Sequence, residues 1–457
     1  MEKITENDLS GAQIRIVNAI RSGTRFVGGG CGTGKTIAAL YALPDVKTIL
    51  VVTPKILRDL STWYEDLKKT TVDISIVHIS KEDLKKKYNT LGQFDAVIFD
   101  EACKWLTSGV RAEQRSQRGT PYIDVSETYR CVYEYLHENP PKYVLMIDAT
   151  PLANKPLAVW AAMDILGLLT TDRLTSHSWF VNKFYTSMKK GYATFWKEKT
   201  IPSRHCSKEE TDQAQKDILY LWNKIAVFVD DDAKIPPIEE DVYVPITPEL
   251  KNILDEIAGE YAGNPSLLAR IFGAQNSHRS FIDFNDEAHS MLVEREAITS
   301  SKIDAVINLL NTKKPKHGAL IFSTFTEQQK VIVNALCATG RIVGQINGKT
   351  KSTDRKAIID SFNSGDVDVL VVQSGICEGY NTPTCDMMIR LSPPIRAASL
   401  EQQYGRINRK SNYKQNYIYN IVLTNGASSK KKTIDEEAWV RVKSGEDLNN
   451  LAYDQDE

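Results

Sequence analysis

Residues 26–40 read FVGGGCGTGKTIAAL, an apolar run, a glycine-rich stretch and then a run with helical character. Residues 29–36 match G-x-x-x-x-G-K-[ST], the pattern of a loop that binds phosphates between a strand and a helix. Glycines let the backbone fold around an anion, and the following helix adds its positive end. Lys35 would supply a cation for the β- and γ-phosphates and Thr36 a hydroxyl for Mg²⁺. The pattern predicts a nucleoside triphosphate site rather than a chance glycine turn.

Strand and helix patterns alternate outward from this loop. Residues 11–21 place apolar side chains at helical spacing. Short apolar runs separated by helical patterns predict buried strands of parallel sheets. These runs are Thr48–Thr53, Ala96–Phe99, Tyr143–Ile147, Ala319–Phe322, Val369–Val372, Met387–Ile389 and Tyr417–Val422. We therefore predict an α/β fold of two tandem lobes, each a parallel sheet flanked by helices, with a mostly helical connector.

The length of 457 residues, at about 150 per domain, suggests about three structural units. We expect a first lobe over 1–170, a connector over 171–297, a second lobe over 298–445 and a frayed tail over 446–457. The connector has a proline-rich hinge (IPPI, 235–238) and helical patterns around 249–262 and 265–273.

Composition excludes several classes of protein. Lys plus Arg is 57 against 58 for Asp plus Glu, so a polyanion would need a local basic patch. The seven cysteines include no C-x-x-C pair, which favours reduced thiols over a disulfide framework or a zinc site. The polar first residues resemble no signal peptide, and no apolar run approaches the roughly 18 residues of a membrane helix. We expect a soluble, cytoplasmic protein.

Acidic residues follow two of the predicted strands. Asp100-Glu101 comes directly after AVIF, where a carboxylate facing a phosphate loop would hold Mg²⁺ and the next would polarise the attacking water. The alternative is a capping pair for the following helix. Asp148-Ala149-Thr150-Pro151 closes the next strand and, taken alone, could be a simple turn.

Two arginines near the far end of the chain have the spacing of one helix face. Arg406 and Arg409 stand three residues apart in QQYGRINR, residues 402–409. A surface salt-bridge pair is the alternative. Because the first lobe offers no obvious arginine finger, these two are the candidates to stabilise the transferring phosphate.

Taken in order, these motifs resemble those of superfamily 2 helicases and translocases, from about residue 9 to residue 440. The segments that carry the resemblance, from the Gln motif through motifs I, Ia, II, III, IV, V and VI, are Leu9–Gln13, 29–36, Thr53-Pro54-Lys55, Asp100–Cys103, Asp148–Pro151, Phe322–Phe325, Ser374–Asn381 and Gln402–Arg409. Motif II ends in Cys103, where related families usually carry His or Asp. Motif III carries Asp148 in place of Ser or Thr.

Within that superfamily the wording is most similar to Swi/Snf-type motor cores, at a size closer to compact phage or bacterial DNA helicases. The similar stretches are TPKILRDLSTWYEDL (53–67), ATPLANKPLAVWAAMDILGLL (149–169), the hinge with Glu239, Ser301-Lys302-Ile303 and Thr433–Glu436.

The resemblance implies two RecA-like lobes that close around Mg-ATP. It implies the catalytic residues Lys35, Thr36, Asp100, Glu101, Gln402, Arg406 and Arg409, with Thr36 and Asp100 holding the metal. The nucleotide-binding residues would be Gln13, Gly30, Cys31, Gly32, Thr33, Gly34, Lys35, Thr36, Gly379 and Asn381. Nucleic-acid phosphates would be contacted by Thr53, Lys55, Thr324 and Ser374, so binding should be sequence-tolerant and salt-sensitive.

Two further segments carry candidate nucleic-acid contacts. Residues 177–200 hold seven aromatic residues and five lysines, and Lys189-Lys190-Gly191 would turn a hairpin that wedges a fork. The alternative places Phe180, Phe184 and Phe195 in the connector core, with the lysines on a solvated face. Arg111, Arg115 and Arg118 follow motif II in a polar stretch, as backbone contacts or as a merely solvated loop.

The favoured hypothesis is an ATP-dependent DNA helicase or translocase that uses ATP and Mg²⁺. It would act on single-stranded, forked or branched DNA in replication, recombination or repair, with proteins of those processes as partners and no membrane. The alternatives are a non-unwinding, ATP-gated remodeller of nucleoprotein complexes and, less favoured, an RNA helicase, because motif III lacks Ser-Ala-Thr. A metabolic P-loop kinase is disfavoured because the paired arginines and second lobe would then have no purpose.

Overall fold

The structure is a computed structural model of the 457-residue chain. It describes residues 3–30, 32–114, 121–149, 155–190, 193–200, 205–229, 235–248, 250–252, 301–376, 382, 384–407, 415–426, 432–445 and 448. The chain divides into two compact units, Met1–Asp232 (unit 1) and Ala233–Glu457 (unit 2).

Unit 1 is built on a six-stranded parallel sheet with the order β10-β1-β7-β4-β2-β3. Its strands, including those of two hairpins, are β1 (Phe26–Gly28), β2 (Thr48–Thr53), β3 (Ser75–Ser80), β4 (Ala96–Asp100), β5 (Val110–Gln114), β6 (Pro121–Val125), β7 (Tyr143–Asp148), β8 (Tyr185–Lys190), β9 (Ala193–Glu198) and β10 (Ala226–Phe228). Its helices are α1 (Gly11–Arg21), α2 (Lys35–Ala42), α3 (Lys55–Asp59), α4 (Thr62–Lys68), α5 (Lys81–Lys87), α6 (Ala102–Trp105), α7 (Glu127–Glu138), α8 (Pro156–Ile165), α9 (Arg173–Phe184) and α10 (Lys208–Ile225).

Both faces of this sheet are covered, which explains why its central strands are apolar throughout. Successive side chains of a strand point to opposite faces. Ile49 and Val51 of β2 pack with α1 and α2, whereas Leu50 and Val52 join a second cluster that includes Trp160 of α8.

Unit 2 repeats the architecture with the strand order β11-β16-β15-β12-β14-β13, again all parallel. Its strands are β11 (Ile238–Pro245), β12 (Ala319–Ser323), β13 (Val343–Ile346), β14 (Val369–Gln373), β15 (Met387–Arg390) and β16 (Tyr417–Thr424). Its helices are α11 (Ser301–Lys313), α12 (Thr326–Ala338), α13 (Ser352–Ser364), α14 (Ala398–Ile407) and α15 (Ile434–Lys443). The two parallel sheets flanked by helices confirm the expected fold class of tandem RecA-like lobes.

A buried ion pair fastens α11 and α15 to the sheet of unit 2. The ammonium of Lys302 lies 2.9 Å from a carboxylate oxygen of Asp435, and both side chains are fully buried. Lys302 also donates to the carbonyl of Leu391 (3.0 Å), and Asp435 accepts the backbone N–H of Leu423 (2.8 Å). Because a lone buried charge is costly, each residue depends on the other. The two segments that resemble the Swi/Snf family, 301–303 and 433–436, thus contact each other through this ion pair.

The segment 171–297 was expected as a separate connector, but its described residues up to 229 belong to unit 1 and those from 235 to 252 belong to unit 2. Phe180, Phe184 and Trp222 are buried in the same cluster as Phe26 of β1, and β10 pairs with β1 at the sheet edge. After residue 232, β11 extends the sheet of unit 2 beside β16. β10 and β11 are strands because they pair with β1 and β16, which lie far from them in the sequence. The helical patterns around 249–262 and 265–273 fall almost entirely outside the described residues.

The hairpin predicted around Lys189-Lys190-Gly191 is confirmed, since β8 and β9 pair antiparallel from Tyr185↔Glu198 to Lys190↔Ala193. Residues 191 and 192 lie outside the described chain. The buried Phe180 and Phe184 agree with the alternative that this segment adds to a core, whereas nothing is described of the side chain of Phe195.

The polar stretch after motif II contains a hairpin where a loop was expected. Strands β5 and β6 pair antiparallel, and Arg111 stands opposite Asp124. Arg115 and Arg118 lie outside the described residues. In the part of the chain that the structure covers, no helix is long and apolar enough to cross a membrane.

Candidate active site

Residues of four motifs follow the carboxyl ends of neighbouring strands in the sheet of unit 1. The phosphate loop follows β1, Asp148 ends β7, Asp100 ends β4 and Thr53 ends β2. The pairing of Gly28 with Asp148 and of Asp100 with Ile147 aligns these ends along one edge of the sheet. Ligands of open α/β sheets bind at this edge, where the strand order reverses.

The conformation of the phosphate loop requires glycine at two positions. Gly29 has φ +154°, and a Cβ there would lie 2.2 Å from the carbonyl oxygen of Val229. Gly34 has φ +76°, and a Cβ there would lie 2.4 Å from Nε2 of Gln13. A side chain at residue 29 would clash with backbone, whereas one at residue 34 would displace the Gln13 side chain and would also have to adopt a left-handed backbone conformation.

Lys35 is the first residue of α2 and directs its ammonium back into the loop. Its Nζ donates to the carbonyl oxygens of Gly29 (2.6 Å) and Gly30 (3.0 Å). The hydroxyl of Thr33 also donates to the carbonyl of Gly30, at 3.1 Å. The cation is therefore held beside the amide groups that follow β1, where a phosphate would bind.

Gln13 connects α1 to the same loop. Its Oε1 accepts the backbone N–H of Ser10 (2.9 Å), which closes a capping box at the start of α1. Its Nε2 donates to the carbonyl of Gly34 at 3.4 Å. Gln13, which is predicted to bind the nucleotide, is thus tied directly to the turn before Lys35.

Asp100 receives one hydrogen bond on each carboxylate oxygen. The indole N–H of Trp63 donates to Oδ2, and the backbone N–H of Glu101 donates to Oδ1, both at 3.0 Å. Burial and the negative charge of Glu101 raise the pKa of Asp100 to about 6, while the Trp63 hydrogen bond and the Lys35 charge oppose that rise. A bound cation would stabilise the ionised form further.

Glu101 has a strained backbone. Its φ of +53° and ψ of +37° place a non-glycine residue in the left-handed region just before α6. Such conformations cost on the order of 1–3 kcal/mol and concentrate at functional sites. The turn redirects the chain after β4, so that Glu101 does not continue the strand that Asp100 ends.

The structure joins motif II to motif III through a buried hydrogen bond that sequence reasoning missed. Asp148 is fully buried, and its Oδ2 accepts the backbone N–H of Cys103 at 2.7 Å. The contact uses the carboxylate of Asp148 and the backbone N–H at position 103, so it depends on the acidic residue and not on the cysteine side chain. The acidic residue at 148, in place of the usual Ser or Thr, was the signal available in the sequence.

The donor set at this edge suits Mg²⁺. Thr36 offers a hydroxyl and Asp100 a carboxylate, and Mg²⁺ prefers a few such oxygen ligands together with substrate phosphates and water. Among the described residues, no group of three or more His, Cys, Asp or Glu side chains could hold a metal by itself.

Motif Ia presents one of its two predicted phosphate-binding side chains to solvent. Lys55 is exposed at the start of α3. Thr53 is fully buried, and its hydroxyl bonds to Nε2 of His78 (2.9 Å) and to the carbonyl of Pro54 (3.1 Å). Burial, aided by the nearby Arg58 charge, lowers the pKa of His78 to about 4, so this histidine is neutral near pH 7. The Thr53 hydroxyl therefore faces the interior of unit 1.

Unit 2 brings together Thr324 and Ser374, the two residues of this unit that are predicted to contact nucleic-acid phosphates. Their hydroxyl oxygens lie 3.4 Å apart, and the hydroxyl of Thr324 donates to the carbonyl of Pro393 at 2.8 Å. The backbone N–H of Thr324 donates to the hydroxyl of Ser392 at 3.0 Å. Ser374 itself is 2% exposed.

Motif VI lies on α14 of unit 2. Gln402 and Arg406 are buried, and Nε of Arg406 donates to the carbonyl of Gln402 at 3.0 Å. The hydroxyl of Thr382, the residue after motif V, donates to the carbonyl of Arg406 at 3.1 Å near the end of the helix. The remaining predicted site residues outside the described chain are Cys31, Arg115, Gly379, Asn381 and Arg409; for Arg111, Lys189 and Lys190 only the backbone is described.

Arg390 is a second residue that the sequence reasoning missed. It ends β15 and is 2% exposed. Its guanidinium donates to Oε1 of Gln403 (3.0 Å), to Glu239 (3.2 Å) and to the carbonyl of Leu400 (3.1 Å). A charged residue inside the apolar run MMIRL was the available signal, because a buried arginine must be fully paired.

Comparison with known proteins places a helicase conserved C-terminal domain over residues 301–411. An uncharacterized ATP-dependent helicase, YqhH of Bacillus subtilis (strain 168), is 22% identical over 452 residues, which span 89% of this chain and 72% of that protein. An Arabidopsis thaliana protein named DEAD-box ATP-dependent RNA helicase FANCM is 30% identical over 124 residues, 25% of this chain and 9% of that protein. The Sulfolobus solfataricus SWI2/SNF2 ATPase core in complex with dsDNA is similar over 91% of this chain and 88% of that one, with 18% identity and a TM-score of 0.37.

The domain match covers α11 to the end of α14, the part of unit 2 that carries motifs IV to VI. The similarity to an ATP-dependent helicase spans 89% of this chain and therefore includes parts of both units. The helicase C-terminal domain and the similarity to an ATP-dependent helicase together indicate an ATPase of the superfamily 2 type.

Proposed function

We propose that this chain is an ATP-dependent DNA helicase or translocase that acts on forked or branched DNA in replication, recombination or repair. The observation that carries the proposal is the phosphate loop with Lys35 beside the Asp100-Glu101 pair, in one chain with a helicase C-terminal domain. A helicase C-terminal domain is expected in an ATPase that moves along a nucleic acid. A metabolic kinase would not need this domain.

The described side chains support a division of roles. Lys35 binds the β- and γ-phosphates, Thr36 and Asp100 hold Mg²⁺, and Glu101 orients and polarises water. The metal, when bound, neutralises charge on the phosphates. Arg406 and Arg409 are the proposed cations that stabilise the transferring phosphate.

Motif III favours DNA over RNA as the polymer. Asp148 stands where RNA helicases usually carry the first residue of Ser-Ala-Thr, and its carboxylate is already engaged by the N–H of Cys103. A relative over 124 residues is nevertheless named an RNA helicase, so RNA belongs in the test.

The test is the steady-state ATPase rate without polymer and with single-stranded, duplex, forked and four-way DNA, and with RNA. We expect the greatest stimulation by forked or four-way DNA, falling steeply as salt is raised, because phosphate contacts release counterions. Stimulation by RNA alone would favour an RNA helicase. An ATPase rate that none of these polymers changes would favour a remodeller that is stimulated by a protein partner.

The β8–β9 hairpin provides a separate prediction about unwinding. Deletion of Lys189–Tyr192 is expected to leave DNA-stimulated ATPase near the wild-type rate but to slow strand displacement on a fork by about tenfold, because a stacking contact to one base contributes about 1–3 kcal/mol. The control replaces the same four residues with a glycine- and serine-rich turn of equal length, which separates hairpin reach from composition. If the deletion variant displaced strands at the wild-type rate, the hairpin would have no role in unwinding and would only add to the core of unit 1.

A further inference from the structure

Trp63 lies at the base of the site with its indole N–H directed at a carboxylate. It belongs to α4, is fully buried, and packs in the apolar cluster that contains α1, α2 and β2. Its Nε1 donates to Oδ2 of Asp100 at 3.0 Å. An indole so packed has no freedom to turn, so the direction of this hydrogen bond is set by the core.

The carboxylate of Asp100 is thereby held at both oxygens. The terminal torsion of an aspartate side chain is broad, so an unsupported carboxylate samples many orientations. Here Trp63 holds Oδ2 and the backbone N–H of Glu101 holds Oδ1. Because each ionised oxygen has about two lone-pair sites, one donor at each leaves room for a cation.

A second indole supports the same residue through a different atom. Nε1 of Trp105 donates to the backbone carbonyl of Asp100 at 3.0 Å, and Trp105 is also buried. Trp105 therefore holds the end of β4, while Trp63 holds the functional group. The pair offers a matched comparison, since both lose one indole N–H when replaced.

We propose that Trp63 is a positioning residue for the Mg²⁺ of the nucleotide complex: its indole N–H fixes the plane of the Asp100 carboxylate so that one oxygen faces the metal. The proposal rests on the role of Asp100 as a metal ligand in the proposed function. Residues that orient a ligand from behind change metal affinity by about 10–100-fold when removed.

The test titrates Mg²⁺ against a fixed concentration of fluorescent ATP analogue and measures bound nucleotide, so it does not depend on turnover. Trp63→Phe should need about tenfold more Mg²⁺ for half-maximal binding, with unchanged affinity for the analogue in EDTA. Trp105→Phe should stay within about twofold of wild type. Thermal melts by circular dichroism establish that each variant is folded, and Trp63→Leu provides a second side chain without the N–H.

Different results would contradict the positioning role of Trp63 and the metal-ligand role of Asp100. A Mg²⁺ requirement of Trp63→Phe or Trp63→Leu equal to that of wild type would overturn the positioning role, and so would an equal shift in Trp105→Phe. If nucleotide binding by the wild-type protein did not respond to Mg²⁺, or if Asp100→Ala retained the full response, the assignment of Asp100 as ligand would fail instead.

Discussion

Replacement of Lys35 by alanine is expected to lower ATP turnover by about 10³-fold or more, because the variant loses the cation aimed at the developing charge on the phosphates. The ammonium is held by the carbonyls of Gly29 and Gly30 at the start of α2, and a truncated side chain leaves that position empty. The measurement is steady-state phosphate release with saturating DNA, together with nucleotide affinity.

The matched control for this variant is Lys86→Ala, which removes an exposed lysine of α5. Its turnover should equal that of the wild type. Turnover by Lys35→Ala within tenfold of the control would contradict the assignment of residues 29–36 as the catalytic phosphate loop.

Replacement of Glu101 by glutamine is expected to leave ATP bound but to slow hydrolysis by about 10²–10⁴-fold, the usual contribution of a positioned general base. The amide keeps the size of the side chain and its strained backbone, but loses the basic oxygen. Single-turnover hydrolysis, with bound ATP recovered by rapid filtration, measures both quantities.

Glu138→Gln, at an exposed position of α7, tests whether loss of a carboxylate by itself matters. That variant should hydrolyse ATP normally. If Glu101→Gln turned over as fast as Glu138→Gln, the water-activating group would have to be another residue, and the capping interpretation of the Asp100-Glu101 pair would be preferred.

Local sequence patterns accounted for the elements whose formation depends on neighbouring residues. Helix α1 and strand β2 have the predicted bounds, and β4 and β7 are each one residue longer than their apolar runs because Asp100 and Asp148 complete the strands. The edge strands β3, β10, β11 and β13 were missed. An edge strand of mixed polarity becomes a strand through its pairing partner, and that partner lies far away in the sequence.

The sequence alone determined that this chain folds as tandem α/β lobes, and it predicts a nucleotide site at residues 29–36 and helicase motifs in order. Those properties depend on hydrophobic period, glycine conformation and residue spacing, all of which are local. The tertiary structure alone decided which side chains hold the motifs in place. Trp63 meets Asp100 across 37 positions, Cys103 meets Asp148 across 45, and Lys302 meets Asp435 within a sealed core. Contacts of this kind depend on how strands are ordered in a sheet and which helices cover it, and no window along the chain contains both partners.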